Sequence, residues 1–418
     1  MTNVDPTTAS STSDASETSD SESYAAEPDL PPLSIRQSSV PLITDETSLR
    51  QYCADLAGGR GPVGIDAERA SGYRYTAKAY LVQINRVGAG IALIDPTGVP
   101  DLSSVGRAIG DAEWVLHAAT QDLPCLAEIG MKPTTLFDTE VAARLLGRDR
   151  VSLAGLVASE LGFSLTKGHG SADWSQRPLT QEQLDYAALD VEPLLELREI
   201  LTKDLQARGR WEIAQQEFAH LIGFAPKDRG SEPWRRLSGM HSLKTPRQWA
   251  IARELWRARD DIARERDVAP GRVIPDSAIL AAVKASPESP QQLLGIQGFH
   301  GRGAARYRSQ WWTAIERARG LPSDELPTRP PRGDGPPPPR TWPDRDPAAA
   351  ARLDKAKAAL QRVAHDWGVA AELLLAPDLV RRMCWEPPAD LETALRDGGA
   401  RPWQVQLCGP MLKAAWAD

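Results

Sequence analysis

Three short apolar runs between residues 62 and 95 constrain this chain most. They are residues 62–66 (PVGID), 80–84 (YLVQI) and 91–95 (IALID). Each has the length of a strand and is bounded by Gly, Pro or charged residues. A fourth run, 114–117 (WVLH), follows. Behind them the periodicity becomes helical, over residues 122–129, 139–146, 153–161 and 180–205. Pro178 precedes the last of these, with Thr180 as N-cap and Gln183 as its capping-box partner. Strands giving way to helices predict an α/β unit, a mixed sheet with packed helices.

The rest of the chain divides by composition. Residues 1–35 hold seven Asp/Glu and no Lys/Arg, and with so few large apolar groups they cannot offset the entropy of ordering. An acidic disordered tail is expected over 1–38 and the α/β unit over 39–215. From Pro233 the pattern is all-helical, with helices expected over 246–265, 276–285, 290–294 and 303–319. This unit, 231–320, carries a local charge of +7 within a chain of −7, so it is suited to phosphate, whereas the acidic α/β unit is suited to cations. Residues 321–346 read as a Pro-rich linker, and 347–418 return to Ala/Leu-rich helical periodicity.

No run of 18 apolar residues suggests a membrane span, and the N-terminus lacks a signal-peptide pattern. The four cysteines are far apart and form no C-x-x-C pair, which points away from zinc knuckles and disulfide scaffolds and towards a reducing cytoplasm.

Acidic residues are placed where a fold has little reason to put them. Asp66 and Glu68 close the first run as Asp-x-Glu, and residues two apart on a strand share a face. A shared divalent cation removes their repulsion; a solvated strand end is the plain alternative. Asp122 stands where the fourth run meets a helix, as metal ligand or as N-cap. Tyr186 and Asp190 are four apart on the long helix, hence on one face; a core Tyr beside a surface Asp is the plain alternative and a common one. Asp185, adjacent to Tyr186, points elsewhere and serves as a control.

In this order, D-x-E, Asp and Y-x-x-x-D, the residues resemble the DEDDy family of 3′→5′ exonucleases. The segment 173–191 (DWSQRPLTQEQLDYAALDV), with FDT at 137–139 and LVQI at 81–84, is similar to the ribonuclease D family in particular. The resemblance covers residues 40–210. It implies a ribonuclease H-like fold, Asp66, Glu68, Asp122 and Asp190 as ligands of two divalent cations (Mg²⁺ or Mn²⁺), and Tyr186 as the group that aims the attacking water. One departure is visible: the second motif often has an Asn before its Asp, where this chain has small residues such as Ala118 and Ala119. Phosphodiester hydrolysis develops charge on attacking, non-bridging and leaving oxygens, which two cations about 3.5–4 Å apart stabilise together. Such hard cations prefer carboxylate oxygen to Cys or His.

Further contacts to nucleic acid are assigned to Gln83, His117, Lys167 and Arg177, with His169 beside Lys167 in a glycine-flanked loop. Against them stand a solvent-facing strand residue for Gln83, a strand-end His for His117 and a loop-fixing salt bridge for Arg177. Residues 233–320 resemble an HRDC domain, on Trp234-Arg235-Arg236, the helix at 250–264 and the turn LLGIQGFHGRGAARY at 293–307. Gly295, Gly298 and Gly301 are expected to let backbone amides approach phosphate, with Arg302, Arg306 and Arg308 supplying charge; an ordinary solvated basic face is the alternative. Residues 347–418 read either as a second HRDC-like unit or as a generic helical cap.

The expected function is hydrolysis at RNA 3′ ends to release 5′-mononucleotides, in tRNA or other structured-RNA processing, with no membrane and no obligate protein partner. A single-strand DNA exonuclease is the alternative within the class, and a non-catalytic RNA-binding scaffold the alternative outside it. Residues 233–320 are expected to supply affinity and none of the chemistry, so a chain ending near residue 230 is expected to keep its kcat.

Overall fold

The computed structural model describes residues 30–165, 168, 170–226, 228, 230–329 and 335–417. The apolar runs form a six-stranded mixed sheet: β1 (Leu42–Ile43), β2 (Arg60–Arg69), β3 (Ala79–Val87), β4 (Gly90–Ile94), β5 (Trp114–Leu116) and β6 (Leu136–Asp138), in the order β1-β4-β3-β2-β5-β6. β3 runs antiparallel to β2 and β4, whereas β1–β4, β2–β5 and β5–β6 pair in parallel. β1 and β6 were not expected; at two and three residues they are too short to show alternation.

Both faces of the sheet are covered, which is why β2, β3 and β4 read as nearly continuous apolar runs. One face packs Val63, Ile65, Val82 and Ile84 with α1 (Glu46–Gly58), α2 (Ser103–Ile109) and α3 (Leu123–Glu128). The other packs Leu81, Leu93, Val115 and Phe137 with α4 (Thr139–Leu145), α5 (Leu153–Leu156), α6 (Gln181–Val191), α7 (Leu194–Ala207) and α8 (Trp211–Ile222).

The helix expected over 180–205 is two helices. Thr180 and Gln183 form the capping box of α6, but Pro193 has no N–H to donate and cannot continue it. At this end of α6 the Val191 carbonyl accepts from Asn85 Nδ2 at 3.1 Å, which fixes the helix to β3 just beyond Asp190. The acidic tail also ends earlier than expected. Leu33 is buried, its N–H donates to the Ser164 carbonyl at 2.8 Å, and Arg36 pairs with Glu192 and Glu196. Residues 1–29 lie outside the described residues.

The basic unit consists of α9 (Pro246–Glu265), α10 (Pro270–Val273), α11 (Asp276–Ala285), α12 (Pro290–Leu294), α13 (Arg302–Ala305) and α14 (Arg308–Gly320), around a core of its own. The last unit begins inside the expected linker. Trp342, on α15 (Trp342–Arg345), is fully buried. Then come α16 (Pro347–Trp367), α17 (Ala371–Leu374), α18 (Pro377–Trp385), α19 (Leu391–Asp397) and α20 (Pro402–Ala417). No helix among the described residues is long and apolar enough to cross a membrane.

Candidate active site

Asp66 and Glu68 lie near the end of β2, on the face that α6 covers. Asp66 pairs across the ladder with Gln83, and the register shifts between Glu68 and Arg69. From above, α6 brings Asp190 down, so that one carboxylate oxygen each of Asp66, Glu68 and Asp190 lie within 4.8 Å of one another. Of the plain alternatives, a solvated strand end does not describe a Glu68 that is 8% exposed, nor a surface Asp an Asp190 that is 9% exposed.

Asp122 lies outside that triplet of oxygens. It is buried, its side chain makes no capping hydrogen bond, and Arg69 Nη2 stands 3.7 Å from its Oδ1. It nonetheless feels the same field: burial raises its affinity for a proton, and the charges of Asp66, Asp138 and Asp190 add to the effect. Burial likewise pushes Asp66 up to about 6, against hydrogen bonding from Ala67 and the charge of Arg69. Asp190 is pushed up to about 8 by burial and then by Asp66, and Glu68 to about 10 by burial and then by Asp66, Asp190 and Asp122. Four acids share a field with little positive charge to answer it, and all their donors are hard oxygens, which suits a divalent cation.

Tyr186 hydrogen-bonds Asp190, one turn further along α6, and its ring lies 6.2 Å from that of the fully buried Trp174. Burial and then the charges of Asp190, Glu68 and Asp66 push the pKa of its hydroxyl upward. A cleft opens beside it, lined by Glu68, Arg69, Ser71–Tyr73 and Gly170–Ala172. A side-chain carbon on Gly170 would come within 3.6 Å of the Tyr186 hydroxyl. Asp185 is exposed and bonded to Gln181, consistent with its use as a control.

The other expected contacts fare differently. Gln83 is fully buried, so it faces neither solvent nor a nucleotide; its register opposite Asp66 turns it inward, and neither amide atom has a partner. His117 Nδ1 bonds Thr139 Oγ1 at 2.9 Å, and burial pushes its pKa down to about 4, the behaviour of a strand-end His. Arg177 is fully engaged in structure. It grips both Asp95 oxygens at 2.6 and 2.7 Å and donates to the Trp174, Gln176 and Tyr80 carbonyls. Lys167 and His169 lie outside the described residues. Arg302, Arg306 and Arg308 are exposed. Of the three glycines, only Gly298 has a positive φ, +93°, and a Cβ there would sit 2.4 Å from that of Ala278; packing on α11 requires it, not phosphate. Gly301 faces open space.

Two residues escaped the sequence reading. Arg69 is the only arginine paired with a site carboxylate among the described residues. Asp138 is buried and accepts hydrogen bonds from the N–H groups of Ala118, Ala119, Glu140 and Val141. It thereby holds the loop leading to Asp122, in which Ala118 sits at φ 54°. The Asp-Thr junction of strand and helix was its signal.

Comparison with known proteins agrees with this geometry. Residues 40–206 match the family model described as 3′–5′ exonuclease, and residues 248–315 the model of the HRDC domain. Residues 335–416 match a model of their own, described as the 3′ to 5′ exonuclease C-terminal domain. A ribonuclease D of Granulibacter bethesdensis is 34% identical over 69% of this chain and 74% of its own length. That of Escherichia coli is 31% identical over 68% and 76%. Among solved structures, a protein from Bifidobacterium adolescentis superposes with a TM-score of 0.87 at 36% identity, covering 93% of this chain and 100% of that one. The structure of Escherichia coli RNase D, described as an exoribonuclease involved in structured RNA processing, gives 0.65 at 25% identity, over 91% and 99%. With its three carboxylates gathered under α6 and these relatives covered over most of their length, the chain belongs to the ribonuclease D family of 3′→5′ exonucleases.

Proposed function

We propose that the chain removes nucleotides from RNA 3′ ends in the cytoplasm, with Asp66, Glu68, Asp122 and Asp190 holding two divalent cations, Mg²⁺ or Mn²⁺, and Tyr186 aiming the water. The observation that carries this reading is the approach of the Asp66, Glu68 and Asp190 oxygens to within 4.8 Å, with Tyr186 bonded to Asp190. Cations bound there supply neutralisation of the phosphate charge and a water of lowered pKa. The rest falls to the chain. Asp66 and Glu68 are fixed by β2, and Asp190 by α6, whose end Asn85 secures. Asp138 holds the loop from which Asp122 projects. The Tyr186 hydroxyl, whose one proton goes to Asp190, can accept a hydrogen bond from the water and so aim it; remaining protonated, it is not the base. The RNA assignment rests on the relatives, whose names specify it, and on the basic HRDC unit.

The test is release of mononucleotides from a 3′-labelled RNA, with DNA of the same sequence alongside and EDTA as control. Asp190→Asn should lower kcat more than about 100-fold. Tyr186→Phe should lower it about 100-fold while calorimetric Mg²⁺ affinity holds. Preference for the DNA strand would replace the RNA reading; endpoint release in EDTA would remove the metals.

A pH dependence follows from the same acids. Their folded-state pKa values lie above the ordinary carboxylate range, so their contribution to stability is full below about pH 4 and is lost as pH rises through about 6 for Asp66 and about 8 for Asp190. The melting temperature of the metal-free protein should carry a falling component between about pH 5 and 8, and saturating Mg²⁺ should remove it by stabilising the ionised carboxylates. A metal-free profile identical to the Mg²⁺ profile would count against the shared site.

A further inference from the structure

The loop that follows the Asp-x-Glu strand forms one wall of the cleft, and its far side is gripped by the HRDC unit. Arg272 on α10 donates from Nε to the Gly72 carbonyl at 2.7 Å, and its guanidinium carbon lies 3.9 Å from the centre of the Tyr73 ring. The Tyr73 carbonyl accepts the Ala269 N–H at 2.9 Å. Tyr75 Oη lies 3.1 Å from both oxygens of the buried Asp260, and Thr76 donates to Asp267. On its near side the same loop touches the chemistry. Arg69 at its base faces Asp122, and Glu68, Ser71, Gly72 and Tyr73 line the cleft. Arg74 Nε reaches Ser175 Oγ at 2.7 Å, and Ser175 is bonded to Asp173 in the segment that leads into α6.

We propose that Arg272 is a positioning residue: from the HRDC unit it holds the Gly72–Tyr73 wall of the nuclease cleft, so that this unit sets the rate of hydrolysis and not only the affinity for RNA. A loop of this kind has few apolar anchors, and its conformation is fixed by whichever polar contacts close over it. Arg272 supplies two at once from one rigid planar group, a directed N–H bond and a stack; a lysine ammonium, a single point on a flexible stem, can make either but does not reproduce both together. A phosphate contact by the same arginine would behave differently, because a lysine serves there as a point charge. The inference rests on the exonuclease reading of the cleft.

The experiment compares the full chain with Arg272→Ala and Arg272→Lys on two substrates: a dinucleotide, which occupies the cleft and does not extend along the HRDC surface, and a long single-stranded RNA. Hydrogen exchange of amides 70–76 is followed in parallel. Both variants should lower dinucleotide kcat about tenfold or more, with KM changed less than kcat, because a displaced wall misplaces the substrate without removing a charge that binds it. Both should also exchange faster over 70–76. Restoration by lysine would make Arg272 a phosphate contact and overturn the proposal. So would wild-type dinucleotide turnover with a raised KM for the long RNA alone, or unchanged exchange over 70–76. Should the unmodified chain hydrolyse neither substrate, the exonuclease reading fails, and the exchange measurement still decides whether Arg272 holds the loop.

Discussion

The C-terminal helical unit and the HRDC unit flank the same nuclease domain, and they are attached to it by different physics. In the first, Trp342, Leu360, Val405 and Leu412 belong to one apolar cluster with Phe137, Leu197 and Phe218 of the nuclease. Gly147, at φ +66°, lies so close to Gly368 that a Cβ would overlap its carbonyl. In the second, the cluster from Leu237 to Ala318 closes on itself, and contact with the nuclease runs through hydrogen bonds and arginine–tyrosine stacks. Apolar burial joins without direction and melts cooperatively; a few polar contacts specify orientation with little stability. One helical unit completes the nuclease core, therefore, and the other is a module laid against the cleft. A chain ending near residue 230 would lose both and leave the nuclease half of the shared core exposed, so its kcat should fall as well as its affinity.

The sharpest way to break this contrast is a pair of substitutions of one chemical kind. Trp342 and Trp311 are both fully buried, the first in the shared cluster and the second in the HRDC core. Trp342→Ala and Trp311→Ala should each remove about 3–5 kcal/mol from the body that contains them. Calorimetry should show the nuclease transition falling with Trp342→Ala. With Trp311→Ala a separate transition should appear at lower temperature while the nuclease transition stays near its original position. A single transition that falls equally in both would mean that the HRDC unit is coupled as tightly as the C-terminal one.

A smaller effect is expected at the polar part of the shared junction. Glu217 is buried on α8 and accepts from Arg401 Nε at 2.7 Å and from Trp403 Nε1 at 2.6 Å. Arg401→Ala leaves that carboxylate with one partner, and about 2 kcal/mol should be lost, within the range for orphaning a buried charged group. Glu217→Gln should cost less, since its oxygen still accepts the indole N–H. Urea denaturation of the two variants measures the difference. Equal losses would show that Arg401 acts through packing and not through charge.

How much of this was open to a reader of the sequence follows from range. The carboxylates were legible because Asp66 with Glu68, and Tyr186 with Asp190, are local pairs whose spacing fixes their faces on a strand and a helix. β2, β3 and β4 were legible because burial on both faces leaves an uninterrupted apolar run, and β5, though no longer than β6, because its three residues are all apolar. Gln83 was misread because one β-strand residue does not show which face is covered; only the pairing with Asp66 turns it under α6. The break at Pro193 was visible in the sequence and was outweighed by helical periodicity on either side of it. The shared core and the clasp on residues 72–76 join residues about 200 apart, and no local pattern carries information at that distance.

The gentlest test bears on the modular side of the contrast. Tyr75 is the point at which the nuclease loop meets α9: its hydroxyl stands 3.1 Å from both oxygens of Asp260, it accepts from Arg264 Nη2 at 3.3 Å, and the Arg264 guanidinium lies 5.6 Å from the ring centre. Tyr75→Phe removes the hydroxyl and keeps the ring. Asp260 retains its ion pair with Arg264 at 2.5 Å, so no buried charge is orphaned, and the cost should be about 1 kcal/mol, that of one hydrogen bond. Because the bond joins two bodies with separate cores, the loss should appear as easier separation of the two and not as lower stability of either. Amide exchange should quicken over residues 72–76 and at the end of α9, while exchange in β2, β3 and the α11–α14 core stays unchanged. Dinucleotide turnover should fall by less than it does for Arg272→Ala, since Arg272 touches the cleft wall itself and Tyr75 lies two residues beyond it. A drop in the nuclease melting temperature as large as that caused by Arg401→Ala would mean that this polar seam carries stability after all, and that the two helical units differ in composition but not in how firmly they are held.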